Sequence, residues 1–508
     1  MTDLYSNLYT SDQTRALDRC AIDDFQIPGI ELMERAGQAA FDRLRRRWPA
    51  AVRLQVFCGP GNNGGDGYVL GRLALQAGLQ VTLNAIGGVP PSGREVALAA
   101  AAFAQVGRVN QGVPAVLPPD THVTVDALLG TGLDRPVSGE MARAVAGINQ
   151  WRHRGNGMVQ ALDIPTGLNA DTGAVMGDCV RADQTVTFIG CNRGLVTGAA
   201  RAYCGELILE PLGLPGELFD RVGSAARLGH MDGLLSHWLP RRSPIAHKGD
   251  SGRVLVIGGD HGYAGAPRLA GEAAQRSGAG LVTVVTRPEH VAGMVAGRPE
   301  LMVRGFPGPA ALSRLLPAAD VVAIGPGLGQ EDWGRELLDQ VLKCDRPLVV
   351  DADGLNLLAK APCRRPDWVL TPHPGEAARL LGETVAQIEA DRFAAAERIA
   401  TRYGGVVVLK GPGTLVTSAQ ESQTVVCPYG NAGLASGGSG DVLTGVVAGL
   451  VAQGVPLFQA ALLGACAHGR AAEMATRRGE RGTLASDLFA PLRSILNGLD
   501  GDDGAVGK

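Results

Sequence analysis

Short apolar runs alternate with amphipathic stretches along almost the whole chain, and most of the runs end in Gly, Asp, Asn or Pro. Few folds tolerate that rhythm. A strand that must cross over through a helix before the next strand returns parallel to its neighbour, so repeated alternation predicts a doubly wound, mainly parallel sheet. The first series has strands expected at Leu54–Cys58, Val81–Ile86, Val123–Leu128, Met158–Asp163 and Thr185–Ile189. Amphipathic helices are expected before it, over Ser11–Phe25 and Ile30–Trp48, the second entered through Pro28-Gly29. Helices at 67–77, 94–105 and 140–151 separate the first four strands. Between Pro211 and His247 the rhythm breaks into Pro, Gly and Arg around a short apolar helix near Leu234. A domain boundary is expected there.

The second series has strands expected at Val254–Gly258, Leu281–Val285, Val321–Ile324, Leu348–Asp351, Trp368–Leu370, Val406–Lys410 and Leu415–Thr417. Long helices at Val442–Gln453 and Leu457–Arg478 close it. A chain of 508 residues exceeds one ordinary core, so two or three domains are expected. The boundaries fall at 1–222 and 228–498, with a polar, Gly-rich and disordered tail at 499–508.

A net charge of −3 gives no electrostatic case for nucleic acid or a membrane surface. No apolar run is long enough to span a bilayer, and Met1-Thr-Asp-Leu-Tyr lacks the pattern of a signal peptide. The nine Cys form no C-x-x-C pair, so reduced thiols and a cytoplasmic location are expected. Lys is scarce, the first being Lys248, which singles out Lys248 and Lys410.

Two places concentrate chemistry. In the first half, Gly59-Pro-Gly-Asn-Asn-Gly-Gly-Asp-Gly67 follows a strand and opens a helix. Glycines there let a ligand approach the backbone, and a helix N-terminus receives an anion. The run is not expected to be a dinucleotide fingerprint: it is read as lacking G-x-G-x-x-G spacing, with Asn62 and Asn63 supplying amide groups in its place. Asp126 and Asp163 end consecutive strands on the same edge. Such carboxylates can hold a cation or shift each other's pKa, or can serve as caps and turn formers. In the second half, Asn431-Ala-Gly-Leu-Ala-Ser-Gly-Gly-Ser-Gly-Asp441 leads into a helix, with four glycines between Gly433 and Gly440. Bare N–H groups and the helix dipole favour phosphate, and Asp441 reads either as an N-terminal cap or as a base. Gly325-Pro-Gly-Leu-Gly329, Asp351-Ala-Asp-Gly354, Thr371-Pro-His-Pro-Gly-Glu376 and Lys410-Gly-Pro-Gly-Thr414 end further strands. His373 could simply cap the helix that follows it.

Together these strings resemble the bifunctional NAD(P)H-hydrate repair enzymes, over roughly residues 10–498. The most specific are Gly61-Asn-Asn-Gly-Gly-Asp-Gly67, Asp163-Ile-Pro-Thr-Gly167, Thr371-Pro-His-Pro-Gly-Glu376 and Gly438-Ser-Gly-Asp-Val-Leu-Thr-Gly445. The resemblance implies two α/β domains: a Rossmann-like doubly wound epimerase domain of YjeF-N type, and a ribokinase-like dehydratase domain. It implies a substrate that is NADH or NADPH hydrated at C6 of the nicotinamide. The first domain interconverts the R and S hydrates, and the second dehydrates the S form with ADP as co-substrate, releasing AMP and phosphate. By the same resemblance Asn62, Asn63, Gly64, Gly65, Asp66, Gly130, Thr131, Gly132, Leu133, Asp134, Arg135 and Pro136 hold the hydrate. Asp163 contacts it and transfers a proton. Asn63, Asp126 and Thr166 match potassium ligands, Thr standing where the family usually has Ser. Arg193 stands where many relatives carry Lys. In the second domain Asp441 is the base and contacts the hydrate with Ala266, Gly327 and His373. Lys410, Gly411, Pro412, Gly413, Thr414 and Gly440 bind the nucleotide, and Mg2+ is a further candidate ion. A homo-oligomer is expected.

Three rivals remain. An ATP-dependent small-molecule kinase would use the same Gly-Ser-Gly-Asp logic and keep a YjeF-N domain only for binding. The first domain could be a scaffold or RNA-binding module. A nicotinamide-dependent dehydrogenase is disfavoured on the expectation that no dinucleotide fingerprint is in play.

Overall fold

The computed structural model describes residues 4–88, 94–114, 118–155, 157–306 and 308–499. Residues 500–508 of the expected tail lie outside that set. The chain divides into two compact units, Met1–Arg227 and Leu228–Lys508.

In the first unit seven strands form one sheet, all neighbours parallel. Their spatial order is Val109–Gln111, Gln80–Ala85, Arg53–Cys58, Val123–Ala127, Met158–Leu162, Gln184–Phe188 and Glu206–Glu210. The winding reverses between Arg53–Cys58 and Val123–Ala127, so the loops after those strands splay apart and leave a crevice. Burial sets this frame: Leu54, Val56, Val123 and Val125 are enclosed by Tyr68, Leu70 and Phe103.

In the second unit the order is Met302–Gly305, Leu281–Thr286, Arg253–Ile257, Val321–Ile324, Leu348–Val350, Trp368–Leu370, Val406–Leu409, Leu415–Ser418 and Thr424–Val426. Pairing is parallel as far as Val406–Leu409 and antiparallel in the last two pairs. Helices Gly265–Arg276, Ser439–Ala452 and Leu457–Ala475 share a core with these strands, built largely from Ala and Val such as Ala270, Ala273, Val446 and Ala467. Among the described residues no helix is long and apolar enough to cross a membrane.

Three local expectations need correction. The helix after the Gly59 run begins at Asn62, not near Gly67. Gly64 packs on the backbone of Gly59 and Gly65 on the Met33 side chain, so the glycines let the first helical turns press inward. The helix carrying Asp441 likewise begins earlier, at Ser439. The first amphipathic stretch is an α-helix over Ser11–Arg19 that widens to a π-helical turn over Cys20–Asp24, where Phe25 N–H bonds to Cys20 O.

Candidate active sites

The crevice of the first unit is a cavity of about 900 Å3. Asn62, Asn63, Asp66, Asp163 and the loop Gly130–Pro136 line it; Gly64 and Gly65 do not. Asp163 sits in the left-handed region at φ 62, just beyond strand Met158–Leu162. That turn carries its carboxylate back over the cavity, where Oδ2 accepts the Thr131 N–H at 3.0 Å. Gly130 must be glycine: a Cβ there would lie 2.4 Å from Asp163 Oδ2. Burial pushes the Asp163 carboxyl up to about 6, against the Thr131 hydrogen bond. Asp66 is raised further, by burial and then by Asp163 and Asp18. Among the described residues no ion pair reaches Asp66 or Asp163. Asp18, from helix Ser11–Arg19, also lines the cavity and escaped the sequence reading.

Behind this wall Asp126 is fully buried, at 0% exposure. Its carboxylate accepts the Thr166 N–H and hydroxyl, each at 2.8 Å, and the Leu128 N–H at 3.2 Å. Burial still pushes it up to about 6. The Asn63 amide is buried with neither its oxygen nor its nitrogen hydrogen-bonded. One carboxylate, neutral oxygens and an orphaned amide form a donor set that suits a singly charged hard cation. Asn63, Asp126 and Thr166 are the residues that could hold such an ion. Arg193 points its Nε at Asp171 O, 3.1 Å away.

The second site gathers at Asp441. Gly438, with φ 92, turns the chain into helix Ser439–Ala452 and places Asp441 in its first turn. A neutral His468, pushed down to about 4 by burial, bonds through Nε2 to Ser439 O at 2.9 Å and fixes that turn. Opposite stands Asp351, 1% exposed, at the end of strand Leu348–Val350. It bonds to Lys410 Nζ and to the Thr444 hydroxyl, each at 2.7 Å. Lys410 also lies 3.8 Å from Glu376. The expected nucleotide lysine thus already holds two carboxylates, Asp351 and Glu376, which sequence reasoning had not joined to it. Burial and repulsion by Asp351 push Asp441 up to about 7, while Lys410 pulls it down. A Cβ on Gly440 would lie 3.4 Å from Lys410 Nζ, so the helix entrance and the lysine face each other closely.

The Gly411–Thr414 turn joins two antiparallel strands, with the Thr414 hydroxyl bonded to Gly411 O at 3.0 Å. Buried Arg392 props it by donating to Leu409 O and Lys410 O. His373 caps helix Pro374–Leu381: Nδ1 accepts the Gly375 N–H at 2.9 Å, and Glu376 closes the capping box. Its half-exposed ring leaves Nε2 3.4 Å from Glu376. Gly327 and Ala266 touch, a Cβ on Gly327 being 3.3 Å from that of Ala266. Ala266 shares its helix with Leu269, which packs at Gly438.

Spacing alone does not separate the first loop from a dinucleotide loop. Gly59, Gly61 and Gly64 do have G-x-G-x-x-G spacing, after a strand and into a helix, which corrects the expectation. Comparison with known proteins bears on the whole chain. A family model described as YjeF-related protein N-terminus matches residues 29–194, and one described as NAD(P)H-hydrate dehydratase matches residues 254–493. The bifunctional NAD(P)H-hydrate repair enzyme Nnr of Coxiella burnetii is 49% identical over 96% of this chain and 99% of its own length. That of Escherichia coli is 46% identical over 96% and 94%. A solved hypothetical protein from Streptococcus mutans matches with a TM-score of 0.50 and 31% identity, over 54% of this chain and 99% of its own. The first unit is a YjeF-N domain on a parallel sheet, the second has the ribokinase-like dehydratase fold, and the chain belongs to the family of bifunctional NAD(P)H-hydrate repair enzymes.

Proposed function

We propose that residues 1–222 interconvert the R and S hydrates of NADH and NADPH, and that residues 228–498 dehydrate the S hydrate with ADP. The observation that carries this reading is the Asp441 carboxyl, pushed up to about 7 at a glycine-turned helix N-terminus. A group that titrates near neutrality can take the proton of the C6 hydroxyl. The freed oxygen attacks the β-phosphorus of ADP, the bridge to the α-phosphate breaks, and AMP leaves. Phosphate then departs from C6, pushed by the ring nitrogen, and loss of a C5 proton restores the dihydronicotinamide. The N–H groups at Gly438–Asp441 favour the charge moving onto phosphate. Gly440 and the Lys410–Thr414 segment hold the nucleotide, with Arg392 supporting that segment from below. Ala266, Gly327 and the His373 ring face the hydrate. Lys410 offsets the repulsion between the acids and an incoming diphosphate.

In the first unit, Asn62 to Asp66 and Gly130 to Pro136 hold the hydrate, with Asp163 moving the proton. Glycine spacing of dinucleotide type suits that substrate. Potassium bound by Asn63, Asp126 and Thr166 would supply fixed positive charge behind the carboxylates. Mg2+ would travel with the nucleotide phosphates. A homo-oligomer in the cytoplasm belongs to the same reading.

The test mixes R and S hydrates with ADP and follows the absorbance of reduced nicotinamide. Full recovery, with AMP formed, is expected. Recovery that stops at the S fraction removes the epimerase. A phosphorylated product that persists and requires ATP would mean a kinase, the reading that family membership disfavours.

A further inference from the structure

We infer that Asp18, on helix Ser11–Arg19, is a second catalytic residue of epimerisation and works opposite Asp163. The inference rests on the epimerase reading above. Asp18 lines the same cavity as Asp163, yet comes from a helix ahead of the 29–194 match. Its neighbours have structural partners: Asp12 pairs with Arg15 at 2.8 Å, and Asp24 with Arg221 at 2.9 Å. Asp18 accepts no hydrogen bond and makes no ion pair among the described residues. A carboxylate with no structural partner at the mouth of a binding cavity is available to a ligand.

Charged groups face it from several elements. Asp163 stands in the same cavity and raises its proton affinity, and Asp18 in turn raises that of Asp66; Arg15 and Arg19 lie on its own helix. Arg94, Glu95, Asp134 and Arg135 complete the charged lining. The shielded cavity and Asp163 together push Asp18 up to about 6, an effect that water at its exposed side chain softens. Asp18 and Asp163 thus interact across one cavity, as the acid and the base of a single reaction can.

Inversion at C6 needs such a pair. A protonated Asp18 donates to the C6 hydroxyl as the C–O bond breaks, water leaves, and the ring nitrogen lone pair forms the iminium. Water then adds to the opposite face of C6 and loses its proton to the Asp163 carboxylate. One water leaves and one returns, and exchange with solvent gives a proton back to Asp18 and takes one from Asp163, so the net change is stereochemical. Asp66, whose proton affinity burial and then Asp163 raise well above the ordinary carboxyl value, lines the same cavity.

The experiment compares wild type, Asp18→Asn and Asp18→Glu as full chains, reading the R to S ratio against time and pH. Asp18→Asn should slow epimerisation about 10²-fold above the spontaneous rate, leave KM for the hydrate little changed, and erase the fall in rate on the alkaline side. Asp18→Glu should restore part of the rate and that alkaline limb. Dehydration of pure S hydrate by the same samples reports that the chain is folded and counted correctly. Epimerisation by Asp18→Asn within a few-fold of wild type would overturn the assignment, as would a rise in KM alone with an unchanged pH profile. A wild-type chain without epimerase activity would instead overturn the reading on which it rests.

Discussion

The two sites solve opposite electrostatic problems with similar parts. Each sets acids at strand or helix ends beside glycine turns. In the first, Asp66, Asp163 and the deeper Asp126 have no ion-pair partner among the described residues, and burial raises all three. In the second, Lys410 stands between Asp351 and Glu376 and faces Asp441. The difference follows the chemistry. Acid–base inversion of a hydroxyl wants carboxyls that exchange protons near neutrality. A site that must admit a diphosphate cannot present bare carboxylates, because like charges would repel it. The second site therefore carries its own cation, Lys410, and among the described residues the acids of the first carry none.

That contrast can be broken in order of expected effect. Asp441→Asn removes the base and should lower dehydration about 10²–10⁴-fold while R and S hydrates still interconvert; equal loss of both activities would mean that the sites are not separate. Lys410→Met leaves Asp351 buried beside Glu376 without a cation, and should cost about 3–5 kcal/mol of stability, measured by denaturant unfolding. The pH dependence sharpens the point. Asp441 works as a carboxylate, so dehydration should rise as pH climbs through about 7 and fall below it. Removing the Lys410 charge raises the Asp441 pKa, so in that variant the half-maximum should move to higher pH; an unmoved profile would detach Asp441 from the limb. Gly130→Ala should push the Asp163 carboxylate off Thr131 and slow epimerisation about tenfold, the smaller end of a misplacement effect. Exchanging potassium for tetramethylammonium should lower the melting temperature of the Asp126→Asn variant less than that of wild type. Equal shifts would place the ion elsewhere.

Much of the fold was legible because its central strands are buried on both faces and so read as unbroken apolar runs, as in Val321–Ile324 and Trp368–Leu370. Edge strands were missed for the converse reason. Val109–Gln111 and Glu206–Glu210 border the first sheet and mix polar residues into short segments. The glycine runs were read as loops, although Asn62–Gly67 and Ser439–Asp441 are first turns of helices, because close packing against Gly59 and the αL turn at Gly438 are tertiary facts. Asp163 and Asp441 were legible as carboxylates at element ends. The link from Asp351 to Lys410 spans 59 positions and needs the sheet order to appear. Its one signal was a rare lysine ending a strand in an arginine-rich chain. Asp18 gave less, since a surface acid on an amphipathic helix does not announce which face meets a cavity.

The most direct measurement follows one atom. S hydrate carrying heavy oxygen at the C6 hydroxyl is turned over with ADP, and the phosphate is analysed by mass. If Asp441 primes that hydroxyl to attack the β-phosphorus, the heavy oxygen ends in inorganic phosphate, one per AMP formed. Heavy oxygen found in water, with phosphate unlabelled, would contradict it.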